Sequence, residues 1–166
     1  MQPNANPPAL FGIDDRVFMD VIHRGDLRQR ITLATQLAEF IRSDETSAAE
    51  REQAIPAALK LTADPEPAVR RALARGFADD PNLHADLLFA IVSDDDAIAI
   101  PFLAATPALT HWHMLAVLRV GDVVRQATVA CRADLSPEAV DYIIESLPLA
   151  INLLLFENEA VTLTRG

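Results

Sequence analysis

His111 and His113 flank Trp112 in a His-x-His arrangement, the spacing with which a strand can offer two imidazoles to one metal ion. Here the triplet follows Thr110, a residue that caps helix starts. On a helix with 3.6 residues per turn, side chains two apart point about 200° away from each other, so the two rings diverge. No carboxylate or cysteine stands at a ligand spacing nearby, and no metal is expected. The triplet is better suited to contact another protein, because tryptophan is enriched among the residues that anchor interfaces. The competing expectation is a polar edge around a half-buried Trp112.

Other reactive groups are sparse. Asp94-Asp95-Asp96 lacks the alternating oxygen ligands and the glycine of a calcium loop, and three acids at a helix start are expected to cap it and to interact with its dipole. Cys131 has only Arg132 as an activating neighbour and no histidine after it, so burial as a small apolar residue is expected. With 5 glycines and 4 histidines, the chain holds no phosphate-cradling loop, no nucleophile elbow and no His-Glu-x-x-His. No catalytic residue and no cofactor is assigned. The densest basic cluster is Arg70, Arg71 and Arg75; Arg71 and Arg75 share a helix face one turn apart and could hold a carboxylate or phosphate. Arg71, Arg75, His111, Trp112 and His113 are therefore the candidate partner-binding residues.

The surrounding composition is that of packed helices. Of the 166 residues 51% are hydrophobic but only 5% aromatic, so the core is built from Ala, Leu, Ile and Val. A formal net charge of -10 repels phosphate backbones and removes the usual driving force for nucleic-acid binding. One cysteine excludes an intramolecular disulfide and fits a reducing, cytoplasmic setting. The most apolar stretch, 143–156, is interrupted by Glu145, Pro148 and Asn152 and is too short to span a bilayer. Residues 1–12, rich in Gln, Asn and Pro without a basic or apolar leader, are expected to be a disordered tail ahead of a single domain over 13–166.

Helical periodicity runs through that domain. Val17, Phe18, Val21 and Ile22 form a short stripe that Gly25 should end in a left-handed exit. Asp26 caps a longer helix with Leu27, Ile31, Ala34, Leu37, Ala38 and Ile41 on one side and Arg28, Arg30 and Glu39 off it. Ser47 and Glu50 make a capping box before a helix that Pro56 should kink or split. From Pro67, the positions Val69, Ala72, Leu73, Gly76 and Phe77 recur with helical spacing and are small enough for close contact with a neighbour. Further helices are expected around Leu87, around Ile98 with Pro101 as a bend, after Thr110, after Asp122 with Val123, Val124, Ala127 and Ala130 as its stripe, after Ser136-Pro137, and over 150–166. Val69, Ile98 and Val124 align at intervals that each hold two helices of about three turns, so neighbouring hairpins should share one core.

Glu66 to Ala74, with Asp64, Val69 and Arg70, resembles the HEAT family of helical repeats. The order of Val69 to Ala74, Ile98 to Leu103, the Thr110 helix and Ala130 to Ser136 further resembles a bacterial family of unknown function with HEAT-like repeats, over most of residues 14–160. That resemblance implies an all-α superhelix of stacked antiparallel helical hairpins. It also implies that Asp64, Val69, Arg70 and Arg125 are structural repeat positions, with Arg70 and Arg125 pairing to the acidic turn of an adjoining unit. Because members of that family are often longer, the chain could be the N-terminal portion of a larger protein. Ala99, where the repeat pattern has arginine, and His111-Trp112-His113, where acids are expected, depart from the pattern.

The function expected is a non-enzymatic protein-protein interaction module, a scaffold or regulator in bacterial signalling, with a protein partner, no membrane and no nucleic acid. Self-association through an uncovered end of the stack is left open. The alternative is a HEAT-like nucleic-acid-binding protein or DNA base-excision enzyme, which the Arg70–Arg75 cluster would serve and the net charge opposes.

Overall fold

The computed structural model describes the backbone of residues 15–161 and the side chains from Phe18 onward. The expected N-terminal tail, 1–12, lies outside the described residues. Among the latter every regular element is an α-helix: α1 (Asp15–Arg24), α2 (Leu27–Arg42), α3 (Ala48–Thr62), α4 (Pro67–Phe77), α5 (Ala85–Val92), α6 (Asp96–Ala105), α7 (His111–Val120), α8 (Val123–Ala130), α9 (Pro137–Ser146) and α10 (Leu149–Glu157). They fall into two compact units, the first up to Ala78 together with Leu83–Ser93, the second Asp79–Asn82 together with the chain from Asp94.

Local chemistry sets the helix starts. Asp26, Ser47, Thr110, Asp122 and Ser136 each accept an amide hydrogen bond in the first turn of the helix they open, which satisfies an otherwise orphaned donor. Pro67 and Pro137 occupy first-turn positions where a missing N–H costs nothing. Pro56 does not split α3, nor Pro101 α6. Both prolines are exposed, on a side of the helix where water can replace the lost amide donor. Gly25 does not take a left-handed conformation either; its amide donates to the Val21 carbonyl at 2.9 Å, and that oxygen leaves no room for a β-carbon. The last helix is shorter than 150–166, closing at Glu157.

In the first unit α2 packs on α4, and α3 on α2, α4 and α5. Arginines bracket the α2–α4 pair. Near the start of α2, Arg30 donates to both carboxylate oxygens of Asp64, just ahead of α4, at 2.8 and 2.9 Å. At the end of α2, Arg42 donates to the carbonyl of Gly76 in the last turn of α4 at 2.6 Å. Starts lie with starts and ends with ends, so α2 and α4 run parallel. Leu37, Ala38, Leu61, Val69, Leu73 and Phe77 are fully buried in this unit, and each of the larger ones contributes about 1.5–3 kcal/mol of burial.

The second unit repeats the device. Arg125, near the start of α8, donates to Asp96 at 2.8 Å and to the Asp94 carbonyl at 2.7 Å, both at the start of α6. Arg132, just beyond α8, donates to the carbonyls of Leu103 and Thr106 at the end of α6 at 2.6 and 2.9 Å. Beyond α10, Asn158 donates to the carbonyls of Ala130 and Arg132 at 3.1 and 2.7 Å. Thus α6, α8 and α10 form a parallel row, while α7 and α9 pack on each other beside it. The expected α8 stripe does not hold: Ala130 is buried, but Val123 and Val124 are 61% and 49% exposed. Arg125 and Gln126, whose side-chain Nε2 donates to the Leu118 carbonyl, set the inward face instead, and the buried apolar residues are Val129 and Ala130.

Candidate functional site

Thr110 opens α7 with its hydroxyl accepting from the amide of His113 at 3.4 Å, and His113 returns the bond through Nδ1, which accepts from the amide of Thr110 at 3.2 Å. This reciprocal box uses histidine where glutamate or glutamine is customary. It commits the Nδ1 lone pair of His113 to the backbone. Met114, Leu115 and Leu118 bury the opposite side of the helix and hold it against the unit.

Anchored in this way, α7 presents His111 and Trp112 to solvent. Trp112 is 68% exposed rather than half-buried. Its ring lies 4.6 Å from that of His111 at an interplanar angle of 44°. At the start of α9, which packs on α7, the carboxyl of Glu138 is held below its ordinary value, first by its own backbone amide and then by the Ser136 hydroxyl, with burial opposing and a small electrostatic contribution from His111. Further along the same pair of helices the Arg119 guanidinium stands 5.6 Å from the centre of the Tyr142 ring. The result is an exposed aromatic plane with an imidazole beside it on a capped helix start.

At the start of α7 the structure places His111 against Trp112, and His113 on the backbone of Thr110. Arg71 and Arg75 belong to the first unit, on α4, where Arg71 is half-buried and Arg75 exposed. Of the repeat positions, Val69 is fully buried, and Asp64 is buried while accepting from Arg30 and from the amide of Glu66 at 2.9 Å. Arg70 donates to the Asp64 carbonyl of its own turn at 2.8 Å. Arg125 reaches across to Asp96 as well as to Asp122 at 2.6 Å. Burial works against its charge, but the two carboxylates outweigh that and hold its pKa above the ordinary value. The amide of Arg125, followed by its side chain, holds Asp122 below the usual carboxylate range.

Two residues that carry the architecture have no counterpart among the sequence-derived candidates. Arg30 pairs with Asp64, and Arg132 is buried with its guanidinium on two carbonyls and on Asp134 at 2.7 and 2.8 Å. The nearest sequence signal was the Arg-x-Asp spacing of Arg132 and Asp134. Cys131, expected to be buried, is exposed, because Arg132 rather than its neighbour turns inward at the end of α8.

Among the described residues no three His, Cys, Asp or Glu side chains converge as a ligand set. No described helix is long and apolar enough to cross a membrane. A cavity of about 330 Å³ between α1 and α2 has an apolar floor of Phe18, Val21 and Leu33, and two of its rim residues, Asp26 and Gln29, are engaged in capping α2. No family model, no curated protein and no solved structure matches this chain.

Proposed function

We propose that the chain is a non-enzymatic protein-interaction module built as a HEAT-like superhelix of stacked antiparallel helical hairpins, acting as a scaffold or regulator in bacterial signalling. The parallel rows α2–α4 and α6–α8–α10, each latched by side chains at the helix ends, support the superhelical reading. The observation that carries the functional reading is Trp112, a tryptophan 68% exposed on a helix start that is itself anchored and capped. Such a side chain offers a large apolar area at little conformational cost, and helical repeat surfaces present such anchors to a partner helix or loop.

The test is affinity capture from the native host with wild-type protein and with Trp112→Ala, both checked for helicity. Loss of a captured protein in the variant, with the fold intact, supports the reading. Unchanged capture removes Trp112 from the site. Binding to single- and double-stranded DNA at two salt concentrations covers the rival function, since tight, salt-sensitive binding would replace a protein partner with a nucleic acid.

A further inference from the structure

We infer that the outer face of α10 is a self-association surface on which a second copy of this chain docks, helix against helix about a two-fold axis. This inference is independent of the reading of Trp112. In the row α6–α8–α10, α10 covers α8, burying Ile151 and Leu155. The opposite side of α10 is apolar too. Leu149, Leu153 and Phe156 are 71%, 52% and 57% exposed. At about 100° per residue they fall within about 60° of one another and about 100–160° away from Ile151 and Leu155. The helix therefore continues the row with an apolar face that nothing among the described residues covers.

A second copy is favoured over other occupants by charge and by register. Glu157 is the one ionisable residue of α10, on a chain whose net charge is -10. Copies that each carry this net charge repel one another, and a face with almost no charge of its own lets them meet with least repulsion. The stripe is also self-complementary. With the two-fold axis between Asn152 and Leu153, an antiparallel partner helix places its Phe156 opposite Leu149 and its Leu149 opposite Phe156, as an isologous contact requires. Three side chains expose at most a few hundred Å², against about 800 Å² per partner in a stable complex, so the dimer is weak and concentration-dependent.

The experiment is sedimentation equilibrium of the intact chain between about 1 µM and about 1 mM, a range that spans weak association. The mass should rise toward that of a dimer, and more steeply in high salt, because screening relieves repulsion between the copies while leaving the apolar contact intact. Leu153→Glu, on an exposed position that leaves the fold unchanged by circular dichroism, should restore the monomer throughout. In a Cys131→Ser background, Leu153→Cys should oxidise to a covalent dimer, and Asp44→Cys on the first unit should not. A monomer at every concentration, association that salt weakens, a Leu153→Glu protein that still dimerises, or equal cross-linking at both cysteines would each overturn the proposal.

Discussion

Gly76 of α4 lies so close to Ala38 of α2 that a β-carbon on the glycine would overlap the alanine methyl. The two parallel helices touch there almost backbone to side chain. Opposing effects decide what Gly76→Ala does: alanine gains up to about 1 kcal/mol of helix propensity, while overpacking a close contact costs about 1–3 kcal/mol. Ala38 sits on the fully buried face of α2 and has nowhere to retreat, so overpacking wins. Urea unfolding should show net destabilisation by Gly76→Ala, and adding Ala38→Gly should recover part of it. A stabilised single variant would show that the helices are free to separate.

The pairing of Arg30 with Asp64 should be strongly coupled. The Asp64 side chain is 3% exposed and that of Arg30 15%, so removing either leaves a charge without its partner in a desolvated place. Asp64→Ala is expected to cost about 3–5 kcal/mol, because the carboxylate also accepts the Glu66 amide that opens α4. The single variants and the double variant, measured together, should give a coupling of at least about 1 kcal/mol. Simple additivity would reduce the contact to two neighbours that happen to touch.

Those two residues also show how far the sequence could be read. Caps are local: Asp26, Ser47, Thr110, Asp122 and Ser136 could each be recognised because the donor they satisfy lies within three residues. The small stripe on α4 was legible for the same reason, since helical spacing places Gly76 on the face of Leu73 whatever the neighbour is. Arg28 and Arg30, by contrast, read alike as polar residues off the stripe, and only a carboxylate 34 residues away distinguishes them. Val124 and Cys131 were misplaced by the converse error. Apolar type predicted burial, but α8 is short and its inward positions were taken by Arg125, Gln126, Val129 and the following Arg132. For the candidate site, the sequence located Trp112 and its flanking histidines. It could not show that the Nδ1 of His113 accepts from the backbone amide of Thr110, or that Trp112 stands 68% exposed.

Asp134 supplies a pH-dependent contribution whose sign is fixed by its partner. Hydrogen bonding from Arg132 holds its carboxyl below the ordinary value, with burial opposing and the opposite charge assisting. A carboxyl depressed by folding stabilises the native state above its unfolded pKa of about 4, and that stabilisation disappears as pH falls through the lower folded value. The side chain is 51% exposed, so solvent screening limits the effect to about 0.5–1 kcal/mol. Asp134→Asn should therefore be less stable than wild type at neutral pH, and the two should converge in acid. Denaturant midpoints measured from pH 7 downward would show it; a constant difference at all pH values would contradict the ion pair.

The capping box of Thr110 and His113 gives the last prediction and separates the presentation of Trp112 from its contact with a partner. His113 is a half-buried residue whose Nδ1 does for the Thr110 amide what a glutamine oxygen would do. His113→Gln should then leave stability nearly unchanged, because the acceptor is restored at the same position in the turn. His113→Ala and Thr110→Ala should each cost about 0.5–2 kcal/mol, since each orphans an amide at the helix start. The loss should be local, and hydrogen exchange should quicken at the first amides of α7 ahead of the buried Met114 and Leu115. Trp112→Ala, which leaves both caps and the buried face in place, should change stability by no more than about 0.5 kcal/mol. If that substitution instead destabilises the fold as much as losing a cap, the ring is part of the packing and its exposure is not what a partner recognises.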